Sequence, residues 1–447
     1  MSLLTSEPAQ LGDELARAWQ RSDAIFALLS ESAWLEQPIP LRHPFLFYLG
    51  HLPAFAWNHL GVTLLGKPAL NAEFEDLFER GIDPSTDGTA PQATAPRWPE
   101  RAQVEAYRDR VRAALVSALP ELETHDAKRA GREAEQLLHA VLEHELMHHE
   151  TLLYMLQALD HAQKRAPASS TDEVCAEGAP LELVEIPAGH TTLGAAPREQ
   201  AFGWDNEFPA QRVAVPAFRI DSLPVSNTRF LEFVNDGGYR TPRWWSAEAW
   251  RWREQHGLGH PLNWRHDGTR WWQRTLFCDR PLEQVAHWPV SVSWAEAAAF
   301  AAWQGRRLPT EAEFQRAAYG TPSGHEHEAP NRVGASDMRT ASLDFQRWSP
   351  APVGSSPQGR SAFGVHELVG NGWEWTATLF APRPGFRVTL PSYAGYSADF
   401  FDEPHYVMLG GSWATDARLL RRSFRNWFRP HYPWAFTKFR LVEAPGA

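Results

Sequence analysis

Near residue 161 the chain changes texture, and this break requires at least two separately built parts. Before it, long stretches hold few Pro or Gly and carry apolar residues at helical spacing. Over residues 11–35 these are Leu15, Trp19, Ile25, Leu28 and Leu29. Pro38, Pro40 and Pro44 then mark a turn. Helices are expected again over residues 45–60, 101–119 and 132–159, with a Pro/Thr/Ser/Gly loop at 83–99. Four helices of this length predict a bundle. Residues 161–182 are rich in Ala, Ser and Pro with little to bury, and contain the linker. Beyond them, β-like runs at 183–186 and 213–218 stand among many Gly, Pro and Trp residues. Two helical pieces, 227–234 and 293–303, interrupt what otherwise reads as loop. The expectation is an α+β chain of two domains. A helical bundle spans 1–165, a linker 166–182, and a mixed, irregular domain 183–447.

A length of 447 residues fits two to three domains. Apolar residues at 43% and charged residues at 22% are globular proportions. The formal net charge of −11, without a Lys/Arg block, argues against nucleic acid as partner. No apolar run approaches the roughly 20 residues of a membrane span. Residues 1–21 contain acidic side chains and no apolar stretch, so they do not read as a signal peptide. Cys175 and Cys278 cannot build a disulfide framework, and a reducing, cytoplasmic setting is expected. The 21 tryptophans, most of them beyond residue 200, supply core. They also offer aromatic faces suited to quaternary ammonium ligands.

His144-Glu145-Leu146-Met147-His148 falls within the fourth expected helix. Histidines four apart share one face, one turn from each other, and can reach one metal. The string also has the HExxH form of zinc hydrolases. His149 and Glu150 point elsewhere on the helix and are taken as supporting or surface residues. His51, in Phe47-Tyr48-Leu49-Gly50-His51-Leu52, sits in an apolar helical segment. Bundles build metal sites from ligands on facing helices, which makes His51 the third candidate. Three neutral imidazoles leave positions open for oxygen-activating iron or for hydrolytic zinc, and spacing does not choose between them.

The second half carries an ordered series of motifs. Pro187-Ala188-Gly189 and Phe208-Pro209 come first, followed by Pro224-Val225-Ser226-Asn227 and Pro289-Val290-Ser291-Val292-Ser293-Trp294. Then come Arg307-Leu308-Pro309-Thr310-Glu311-Ala312-Glu313 and Gly370-Asn371-Gly372-Trp373-Glu374-Trp375-Thr376. Gly410-Gly411-Ser412-Trp413 and Phe439-Arg440-Leu441 close the series. From about residue 183 to the end, it resembles the formylglycine-generating-enzyme-like, C-type-lectin-related fold; usual members have Val where Gly372 stands. Those enzymes use cysteines near the C-terminus. This chain has none after Cys278, which argues against that activity.

Joined to a DinB-like four-helix bundle, this domain resembles the sulfoxide synthases of ergothioneine and ovothiol biosynthesis and the related selenoneine synthases. The resemblance implies an Fe(II)- and O2-dependent enzyme that joins a chalcogen to the imidazole of hercynine, a trimethylated histidine. His51, His144 and His148 match its iron ligands. Tyr396 matches a proton donor; a phenol with a pKa of about 10 is protonated at neutral pH. Asn426 and Trp427 match residues that hold hercynine, whose cation favours an aromatic face.

Two departures bear on the chalcogen donor. Members that use γ-glutamylcysteine have an aspartate after the Asn-Trp pair and an arginine four residues later; here these are Phe428 and Tyr432. Aromatic rings cannot make those ion pairs and suit a sugar ring better. Met147 replaces a glutamine that helps bind hercynine. The resemblance then points to a selenosugar as donor, as in selenoneine synthases. The thiols cysteine and γ-glutamylcysteine are the alternative.

Overall fold

Leu11, Leu15 and Ala18 are buried along one side of the first helix, α1 (Pro8–Phe26), as their spacing requires. The computed structural model describes residues 8–79, 97–129, 131–168, 179–327, 341–401 and 404–443. It divides into two compact units, Met1–Pro167 with Leu390–Ser392 and Ala168–Thr389 with Tyr393–Ala447. The helix expected over 11–35 stops at Phe26. Leu29 pairs with Lys164 in an antiparallel bridge, and the Ser30 N–H bonds Gln163 O at 2.9 Å. The rest of this stretch is made of local turns and a short 3-10 helix, Glu31–Ala33, with the backbone at Leu28–Ser30 partnered by residues 163–165.

The remaining helices of the first unit are α2 (Phe45–Ala56), α3 (Ala72–Leu77), α4 (Arg101–Arg129) and α5 (Glu133–Ala158). Every residue of α2 is buried. Pro53 lies inside it and lacks an N–H to bond the preceding turn. The chain runs on from α2 as a π-helical turn, Trp57–Leu64. The short α3 was not expected; Asn71 caps it, its side chain accepting the Phe74 N–H at 3.2 Å. α1 packs on α5 and α2 on α4, and α5 also touches α2 and α4. α4 touches α1 as well, and the four long helices form one bundle. Most of the loop expected at 83–99 lies outside the described residues.

The second unit is built from small sheets. β1 (Leu183–Ile186) pairs antiparallel with β4 (Phe218–Asp221), and β2 (Gly189–Leu193) with β3 (Gln211–Val215). The single run expected at 213–218 is thus two strands, broken at Pro216, which has no N–H for a ladder. β5 (Trp264–His266), β6 (Trp271–Arg274) and β7 (Asp279–Pro281) form a second antiparallel sheet. The largest sheet has the order β10 (Asn426–Phe428), β9 (Tyr406–Leu409), β8 (Trp373–Leu379), β11 (Thr437–Lys438). β12 (Val442–Glu443) closes on β4.

Helices α6 (Asn227–Asn235) and α8 (Trp294–Trp303) fall where helical pieces were expected. α7 (Ala247–Gln255), α9 (Glu311–Tyr319) and the four-residue α10 (Gly395–Ala398) replace expected loop. The core joins Ile186, Ile220, Phe314, Val365, Leu409 and Val442 from strands, α9 and a loop. Beside it the Arg440 guanidinium, fully buried, binds the Glu374 carboxylate. The Lys438 ammonium takes the carbonyl oxygens of Gly370 (2.8 Å) and Gly372. Among the described residues no helix is long and apolar enough to cross a membrane.

Candidate metal centre

Within the bundle, α2 presents Phe47, His51 and Phe55 at four-residue spacing, and His59 continues the row in the π-helical turn. α5 presents His144 and His148 one turn apart. Because α2 and α5 touch, His51 faces the α5 pair. One ring nitrogen from each of His51, His144 and His148 lies within 4.8 Å of the other two. Ring centroids are 5.0 Å (His51–His144), 5.1 Å (His51–His148) and 4.3 Å (His144–His148) apart. His51 and His144 are buried and His148 half-buried.

The tautomers follow from the hydrogen bonds. His51 Nδ1 lies 2.8 Å from Phe78 O, and His148 Nδ1 lies 2.9 Å from His144 O. A carbonyl only accepts, so in both rings Nδ1 carries the proton and the Nε2 lone pair is left for a metal. Burial pushes His51 down to about 3, with the neighbouring His148 adding to the effect. Burial likewise lowers His148 to about 4 and holds His144 well below its ordinary value. All three rings are neutral at pH 7, as metal ligation requires. The Phe55 ring lies flat on His144, 3.6 Å between centroids and 7° between planes, and fixes its orientation. Sequence reasoning missed both Phe78 and Phe55. The Phe78 carbonyl leaves no trace in the sequence, whereas Phe55 was legible as the residue four after His51.

Glu145 is turned away from the histidines. Its carboxylate accepts the Ser22 hydroxyl of α1, and Ser22 Oγ lies 2.9 Å from His149 Nε2. Burial raises the Glu145 carboxyl above its usual range. The residue a zinc hydrolase would use as base thus serves the contact between α1 and α5. The buried positions of His149 and Glu150 correct the reading of them as possible surface residues.

In the second unit, Tyr396 and Trp427 come together. Tyr396 stacks on Trp204, 4.0 Å between centroids, and meets Trp427 edge-on at 5.4 Å and 82°. Trp427 lies flat against Phe380 at 4.0 Å and 7°. Both Tyr396 and Trp427 are half-buried, so each keeps exposed ring surface. Asn426 folds back, its Oδ1 accepting the Trp427 N–H at 2.8 Å. Phe428 and Tyr432 stack on each other, 4.5 Å and 12° apart. Tyr432 is 3% exposed and Phe428 half-buried, so the open surface of this pair belongs to Phe428. Cys278 is a free thiol, while Cys175 lies outside the described residues.

Comparison with known proteins agrees with this division. Residues 169–445 match the sulfatase-modifying factor enzyme 1-like domain, and residues 14–152 match the DinB superfamily. A hercynine oxygenase of Mycolicibacterium smegmatis is 34% identical, over 97% of this chain and 98% of its own. Another hercynine oxygenase, from Mycobacterium tuberculosis, is 33% identical over 98% of this chain and 99% of its own. Ergothioneine biosynthesis protein 1 of Neurospora crassa is 30% identical; the match covers 96% of this chain but only 57% of that longer protein. Among solved structures, PvdO from Pseudomonas aeruginosa covers 62% of this chain and 99% of its own, at 21% identity and a TM-score of 0.39. The bundle with its three histidines and the domain that follows it belong to one chain of the hercynine oxygenase and ergothioneine biosynthesis protein family.

Proposed function

We propose that this protein is a non-haem Fe(II)- and O2-dependent enzyme that bonds a chalcogen to the imidazole carbon of hercynine, with a selenosugar as donor. The observation that carries the reading is the converging trio of neutral imidazoles, two of them buried and two with Nδ1 tied to carbonyls. It fits a divalent transition metal held by three nitrogens with positions left open. His51, His144 and His148 would hold iron(II), which when bound supplies the redox chemistry with oxygen. Membership of the hercynine oxygenase family supports hercynine as the acceptor.

The side chains have distinct tasks. Trp427 offers its face to the trimethylammonium group of hercynine. Tyr396 would supply its phenolic proton as oxygen is reduced. Phe428 packs against the donor's sugar ring, where an acidic side chain would favour an amino acid. A second reading, with cysteine or γ-glutamylcysteine as donor and a C–S bond as product, is favoured by the relatives named for ergothioneine biosynthesis. We place the reaction in a reducing cytoplasm, where a selenolate or thiolate persists.

Oxygen uptake by the metal-loaded protein tests the reaction class. Uptake should require iron(II), rise with hercynine, and vanish in His51→Ala, His144→Ala and His148→Ala. Hydrolytic activity with zinc and no oxygen demand would replace this reading with a hydrolase.

A further inference from the structure

Asn206 is 1% exposed and lies in the short turn that follows Trp204. Its side-chain amide donates to Ser397 Oγ at 3.0 Å, and its Oδ1 accepts Arg425 Nε at 3.3 Å. Arg425 also donates through Nη2 to the Asn206 backbone oxygen. Ser397 is fully buried, and its hydroxyl in turn donates to Asp205. Arg425 is 3% exposed and sits 3.7 Å from the Glu311 carboxylate, which Arg383 binds at 2.7 Å. One buried amide therefore ties the residue after Tyr396 to the residue before Asn426 and Trp427. The ring contacts repeat the pattern, since Trp204, two residues before Asn206, stacks on Tyr396. α10 has four residues and cannot hold Tyr396 in place by its own hydrogen bonds.

We infer that Asn206 is a positioning residue that sets the Tyr396 hydroxyl against the hercynine-binding surface of Trp427, acting on Tyr396 through Ser397 and on Trp427 through Arg425. The inference rests on the reading of Tyr396 as proton donor and Trp427 as hercynine contact. Because the two arms of the brace are separate, they affect different constants. Loss of the Ser397 arm frees Tyr396 and lowers kcat. Loss of both arms also displaces Trp427 and raises KM for hercynine.

The test uses the full-length, iron-loaded protein and the variants Ser397→Ala, Ser397→Thr and Asn206→Ala. Ser397→Ala should lower kcat about tenfold or more while KM for hercynine stays within about twofold. Ser397→Thr keeps the hydroxyl and should recover most of the rate. Asn206→Ala should lower kcat and raise KM, and adding Ser397→Ala to it should change little, because the two share one link. Amide hydrogen exchange supplies a readout that needs no turnover. Ser397→Ala should speed exchange in residues 393–400 alone, and Asn206→Ala in 393–400 and 424–428 together. Unchanged exchange in both segments overturns the brace. Faster exchange with kcat and KM both unaltered overturns its positioning role. If Asn206→Ala does not fold, the Ser397→Ala and Ser397→Thr pair decides the Tyr396 arm and Arg425→Lys the Trp427 arm: it should raise KM for hercynine and speed exchange in 424–428, and no change in either overturns that arm. A wild-type protein that does not turn over hercynine removes the proposed function, and exchange still decides whether the brace exists.

Discussion

An imidazole binds a metal only when one nitrogen is unprotonated and aimed at it. Here burial supplies the first condition and a carbonyl partner the second, for His51 and His148 alike. The same burial makes the metal-free protein acid-sensitive. Unfolded histidines titrate near 6.5, while His51 and His148 in the fold titrate at about 3 and about 4. As pH falls below 6.5 the unfolded chain binds these protons first, so the stability they lend is complete above 6.5 and drains away toward pH 4. The melting temperature of metal-free protein should fall across this window, and iron(II) should delay the fall. A flat profile from pH 7 to pH 4 would contradict the burial of His51 and His148 as neutral rings.

Glu145→Ala gives the converse result. The residue binds Ser22 and not the histidines, so oxygen uptake should survive while stability drops by about 1–3 kcal/mol, measured by denaturant unfolding. At this scale helical spacing was enough to place His144 and His148 on one face, where the fold sets His51 opposite them. The sequence was a poor guide to their orienting partners. The Phe78 carbonyl reaches His51 only through the fold.

Elements were legible where local chemistry decides them. α5 and α2 follow from apolar periodicity. α8 begins at Ser293, whose hydroxyl and the Glu296 carboxylate satisfy each other's backbone N–H groups. Thr310 and Glu313 make the same reciprocal pair at the start of α9, a helix that the general texture of the region concealed. The Thr-x-x-Glu spacing was the signal for it. Thr310→Ala should therefore cost about 1 kcal/mol in chemical denaturation. A change below a few tenths would mean that the cap is redundant. The strands of the second unit were harder to see. Most are two to five residues long and take their registers from partners far away in sequence, as when β11 runs parallel to β8. Lys438 belongs to the same class: its ammonium replaces solvent with the carbonyls of Gly370 and Gly372, a contact that no local pattern announces.

For the whole molecule, the division into a helical and a mixed unit was visible as a change in composition. The family emerged from ordered motifs spread along the second unit. The proposed donor rests on two positions, Phe428 and Tyr432, which stack on each other. The double substitution Phe428→Asp with Tyr432→Arg should move donor preference toward γ-glutamylcysteine, read as a changed product ratio in competition; an unchanged ratio would free these positions from any role in donor choice. The most direct measurement gives the iron(II)-loaded protein hercynine, air and an equimolar mixture of selenosugar, γ-glutamylcysteine and cysteine, with the product identified by mass spectrometry. A selenium-containing hercynine adduct is the expected result. A sulfur adduct alone would overturn the donor assignment, and no adduct at all would contradict the oxygen-dependent bond-forming reaction itself.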